Sequence, residues 1–153
     1  MTPPYESNHY LPLTASFQSV ADLGLFTTSL STMYTQTDRF KIEYFDMEAS
    51  QGKVEETITL SELQARLDTA RQLIQELKAI EHVTKDTNAL GAKMRSISFR
   101  RRHGYTPTEK ERTRVINQLS KLVSTQLPTE LRKQLYLVIF NETGIDVESL
   151  DQR

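Results

Sequence analysis

The residues best equipped for chemistry stand between positions 85 and 114, where nine Lys or Arg face three Asp or Glu. Lys93, Arg95, Arg100, Arg101, Arg102, Lys110, Arg112 and Arg114 offer cationic donors, and a guanidinium forks readily onto phosphate or carboxylate oxygens. Phe99 and Tyr105 are interleaved with them as flat rings on which bases can stack. Such a surface predicts anion contact, and nucleic acid is one ligand it would suit. Nucleic-acid domains tend to be basic throughout, however, and this chain has a formal net charge of −1. Residues 1–84 hold six basic side chains against twelve acidic ones, and residues 115–153 hold four against five. The arginines therefore have three sources of anions: their own acidic half, a second copy, or a foreign ligand. Neutralisation of the acidic half, within the domain or across a dimer, is the preferred reading, and contact with nucleic acid or with an acidic protein or lipid partner stays open.

Catalytic constellations are thin. His9, His82 and His103 are isolated, and no two share a metal-ligand spacing. Glu81, His82 and Asp86 form the nearest thing to a cluster and are better read as solvated helix-end residues. The glycines at 24, 52, 91, 104 and 144 are isolated, which excludes a glycine-rich phosphate loop. Glu55 and Glu56 point to opposite faces of a strand and cannot act on one bond together. The chain has no cysteine, so thiolate metal sites, thiol nucleophiles and disulfides are excluded, and a reducing cytoplasmic setting fits. No catalytic residue, metal ligand or cofactor is assigned, and the reading is non-catalytic.

These side chains must be carried by a single domain over 1–153, since about 150 residues closes one core. Residues 1–15 hold three of the five prolines and read as an irregular arm. The first ten residues lack the features of a secretory signal. Residues 19–35 are ambiguous: Ser19 with Asp22 three positions on suggests a helix cap, while the Thr/Ser content suits a strand; helix is preferred. Phe40, Ile42 and Tyr44 alternate with Lys41 and Glu43, and Val54, Ile58 and Leu60 answer them, which predicts a β-hairpin. Ser61 and Gln64 read as a capping box opening a helix through Leu63, Leu67, Ala70, Ile74 and Leu77 to about residue 82 or 85. That stripe predicts one amphipathic helix over the hairpin in preference to a coiled-coil seam. Residues 86–105 form a basic connector. Thr106 and Pro107 start the next helix, with Val115, Ile116, Leu119, Leu122 and Val123 inward. The last helix starts at Pro128 and stops near Asn141 to Gly144, with Gly144 suited to a left-handed cap, leaving a turn or tail.

The longest apolar run is Leu135 to Phe140. A bilayer crossing takes about 20 residues, so no membrane span is expected. On a helix this run is apolar all round, because successive residues step by about 100°. Either this helix is central, or one side is an interface. Leu135, Tyr136, Val138, Ile139 and Phe140 are the interface candidates.

The expected fold is α+β: a small antiparallel hairpin or sheet over about 39–60 packed against three to four α-helices. The expected function is a non-catalytic cytoplasmic interaction or regulatory module, acting through the basic segment and an apolar helix face on a protein partner or a second copy. The alternative is a nucleic-acid-binding protein contacting phosphates through Lys93 to Arg114.

Overall fold

The computed structural model describes residues 16–46, 52–86 and 109–151. The elements run α1 (Val20–Met33), β1 (Arg39–Asp46), β2 (Gly52–Thr59), α2 (Leu60–Asp86), α3 (Glu109–Thr125), α4 (Thr129–Thr143) and α5 (Val147–Asp151). Among the described residues this is an α+β fold of one antiparallel hairpin and five helices. The expected arm over 1–15 and nearly all of the basic connector over 86–105 lie outside the described residues.

The ambiguous segment is a helix. Ser19 Oγ accepts the Asp22 N–H at 3.1 Å, which supplies the cap. The hydroxyls of Thr27, Thr28, Ser29 and Thr32 donate to backbone carbonyls three or four residues earlier. Bonded in this way, side chains that compete with the helix elsewhere are absorbed into it. Leu23, Phe26 and Leu30 supply the buried face.

β1 and β2 pair with Phe40 opposite Ile58, Ile42 opposite Glu56 and Tyr44 opposite Val54. Phe40, Ile42 and Ile58 are buried, and helices supply the cover that a lone hairpin needs: α2 lies against both strands and α3 against β1. The opposite face carries a lattice of charges in which Lys41 and Lys53 each reach Glu43 and Glu55 at 2.7–3.5 Å.

β2 runs into α2 without a loop, and this moves the expected cap. Thr59 Oγ1 accepts the Glu62 N–H at 3.2 Å while Glu62 Oε1 accepts the Thr59 N–H at 3.3 Å. The capping box is therefore Thr59 with Glu62. Ser61 instead donates to Gln36 at 2.6 Å, and Gln64 donates to the Thr27 carbonyl at 3.0 Å.

α2 is the central element. Leu63, Leu67, Ala70, Ile74, Leu77 and Ile80 are buried within the chain, and the helix packs on α1, both strands, α3 and α4. Its stripe is thereby occupied by the fold itself, as the amphipathic reading expects. Val115, Ile116, Leu119, Leu122 and Val123 of α3 are buried as the spacing predicts. α4 ends where Gly144 takes φ +78°, its N–H bonded to the Phe140 carbonyl at 2.7 Å. The expected tail contains a further turn of helix: Asp146 accepts from the Ser149 N–H at 3.2 Å and hydroxyl at 2.7 Å, and buried Val147 anchors α5. No helix among the described residues is long and apolar enough to cross a membrane.

Candidate interaction surface

Of the expected anion-contacting residues, Lys93, Arg95, Arg100, Arg101 and Arg102 lie outside the described residues, as do Phe99 and Tyr105. Lys110, Arg112 and Arg114 stand at the start of α3, beside α2. Arg112 Nε donates to Glu81 of α2, and its Nη1 to Glu109 at 3.4 Å. Arg114 Nη2 donates to Glu111 at 2.7 Å and reaches Glu76 of α2 at 3.3 Å. The hydrogen bond to Glu81 holds the Arg112 guanidinium above its ordinary pKa. Two arginines of the basic stretch thus answer carboxylates of the acidic half inside one chain, the arrangement the charge segregation first suggests. Lys110 is exposed.

A spacing of four along α2 would set Glu62 beside Arg66. Glu62 closes the Thr59 cap, leaving Arg66 to donate to the Gln126 carbonyl at 2.9 Å. The remote partner wins because packing brings the end of α3 alongside α2, and an i, i+4 pair contributes only about 0.2–0.5 kcal/mol.

Glu81 and His82 share a cleft of about 480 Å³ with Val20, Gln75, Lys78 and Glu142. Its carboxylates serve the fold. Glu142 Oε2 accepts the Val20 N–H at 2.7 Å, and its Oε1 accepts Lys78 Nζ at 2.9 Å. The Val20 N–H belongs to the first turn of α1 and has no partner in its own helix. That bond first, and Lys78 second, hold the Glu142 carboxyl below the usual carboxylate range. The side chain of Asp86 lies outside the described residues. Among the described residues no group of three His, Cys, Asp or Glu is placed to hold a metal ion. Nothing local in the sequence marks Glu142, whose partner Val20 is 122 positions away.

A second bond pattern of this kind anchors α4. Arg132 Nε donates to the Leu127 carbonyl at 3.1 Å, and its Nη2 to the Glu43 carbonyl of β1. Burial pulls the Arg132 pKa below its ordinary value. On the same helix, Gln134 accepts the Phe17 N–H at 3.1 Å, and Asn141 donates to the Gln18 carbonyl at 3.3 Å. α4 is therefore fastened on several sides, which fixes the face it leaves in solvent.

That face divides the expected interface residues. Leu135, Val138 and Ile139 are fully buried, so these three candidates belong to the core and not to an interface. Their row continues from buried Leu131 at helical spacing. Tyr136 is half-buried, and Phe140 is 52% exposed. Leu137 of the same run, not among the expected contacts, is 45% exposed. Leu25, Met33 and Phe45 are also exposed, the first two about two turns apart on α1 and the third on β1. Leu137 and Phe140 differ in standing one turn apart in a common groove of about 310 Å³, which Lys133, Tyr136, Asp146 and Glu148 also line.

Compared with protein families, with curated proteins and with solved structures, the chain has no match.

Proposed function

We propose that this chain is a non-catalytic interaction module of the cytoplasm that works by associating with a second copy of itself through the exposed face of α4. The observation that carries the proposal is the pairing of Leu137 and Phe140, both about half exposed, on a helix whose other side is locked into the core. Adjacent apolar side chains in water favour any arrangement that removes them from it. A second copy suits the groove because its charged residues are of both signs, Lys133 against Asp146 and Glu148, so the surface complements itself. The strip is narrow, so the association is of the weak, concentration-dependent kind. The absence of cysteine suits a reducing compartment, and this supports the cytoplasmic part of the proposal.

The acidic and basic stretches have a supporting role in this reading. Arg112 and Arg114 join α3 to α2 through Glu81 and Glu76, and so hold in place the frame against which α4 packs.

Light-scattering mass across a micromolar-to-millimolar concentration series tests the proposal. The wild-type mass should climb towards that of two chains. Leu137→Glu with Phe140→Glu should hold it at one chain while circular dichroism and melting temperature stay close to wild type. A wild-type mass that stays at one chain throughout, or a double variant that associates as the wild type does, overturns the proposal.

A further inference from the structure

We infer that the two copies meet with their α4 helices antiparallel across a two-fold axis, Lys133 of each copy against Asp146 and Glu148 of the other. The inference rests on the self-association proposed above and adds its geometry.

Lys133, Leu137 and Phe140 follow one another at spacings of four and three, so they form a single stripe about 10 Å long at 1.5 Å per residue. Lys133 stands at the N-terminal end of that stripe. Beyond its C-terminal end the backbone turns at Gly144, and Asp146 and Glu148 follow in the same groove. The groove is therefore positive at one end, apolar in the middle and negative at the other.

Only one of the two-fold arrangements suits that sequence of charges. A parallel pairing of α4 with its copy sets Lys133 beside Lys133 and Asp146 beside Asp146, so like charges meet at both ends. An antiparallel pairing lays the Leu137 and Phe140 stretch against the same stretch of the other copy in reverse order and brings opposite charges together at both ends. Symmetry doubles each effect, because every contact occurs twice. The acidic end is already ordered: Asp146 is bonded to Ser149, which also holds its carboxyl below the usual range, so it is ionised at neutral pH. Lys133 is exposed and free to reach a neighbour.

The test is charge reversal read by sedimentation equilibrium. Lys133→Glu and Glu148→Lys, each alone, set like charges at two symmetry-related contacts and should weaken self-association by about three- to tenfold. The double variant restores opposite charges between positions 133 and 148, with Asp146 unchanged, and should associate more tightly than either single variant and within about threefold of wild type. Asp146 is left intact because it starts α5. Lys133→Gln and Glu148→Gln, which remove attraction without adding repulsion, should give smaller losses in the same direction. Self-association that persists while the two single losses simply add in the double variant overturns the antiparallel geometry and leaves the self-association reading standing. A wild-type chain that is monomeric at every concentration overturns both.

Discussion

Replacing Glu142 with Gln should destabilise the fold by about 1–2 kcal/mol at neutral pH. The carboxylate accepts two hydrogen bonds, from the Val20 N–H at 2.7 Å and from Lys78 Nζ at 2.9 Å. Bonds to a charged group contribute roughly 1.5–3 kcal/mol each when well shielded. Lys78 is 58% exposed, which places its share nearer the surface value of about 0.2–1 kcal/mol. Glutamine keeps an acceptor for Val20 but loses the charge, so about 1 kcal/mol is assigned to the Val20 bond and about 0.5 to Lys78. For a chain of this size that corresponds to a fall in melting temperature of about 2–8 °C. The effect has a pH signature. The Glu142 carboxyl titrates below its ordinary value of 4.5 in the folded chain, so its stabilisation is complete above that value and is lost as pH falls through the lower, folded one. Urea unfolding of wild type and Glu142→Gln, in dilute solution so that self-association does not contribute, should show a constant gap above about pH 6 that closes in acid. Equal stabilities at pH 7, or a gap that persists undiminished to pH 3, would refute the assignment.

Two further perturbations check the frame. Arg132→Met keeps the aliphatic stem but leaves the Leu127 and Glu43 carbonyls without their donor, and urea unfolding should show a loss of about 2–3 kcal/mol. Thr59→Ala removes the observed cap of α2 and should lower stability by about 1 kcal/mol in thermal melts, whereas Ser61→Ala leaves the cap in place and should cost less.

Features governed by near neighbours along the chain are legible in the residues themselves. Ser19 with Asp22 marks the start of α1, the alternation around Phe40 and Ile42 marks the hairpin, and Gly144 marks the end of α4. The α2 cap falls two residues earlier than Ser61 because Ser61 and Gln64 satisfy the same spacing rule as Thr59 and Glu62. What separates them is that β2 ends directly on the helix. The short helix α5 stays hidden in an apparent tail, since five residues carry too little periodicity to reveal one.

The candidate surface is only partly legible. In Leu135 to Phe140 every residue is apolar, so composition cannot say which side is inward. The phase comes from Leu131, whose row includes Leu135, Val138 and Ile139, and that row reaches the core. Leu137 and Phe140 fall outside the row and remain in solvent. Glu142 and Arg132 carry no signal at all, because their partners Val20 and Glu43 are remote in sequence. Charge segregation implies pairing between the basic and acidic stretches, and Arg112 with Glu81 and Arg114 with Glu76 show it for two arginines.

The central claim, that copies of the chain meet through α4, can be read at a single atom because the chain has no cysteine of its own. A thiol introduced as Lys133→Cys, in the same groove as Leu137 and Phe140, is then unique, and so is one introduced as Ser31→Cys on the exposed side of α1. Alkylation of the thiol at 133 should slow progressively as protein concentration rises, while alkylation at 31 keeps one rate throughout. Equal, concentration-independent rates at both positions would contradict the claim.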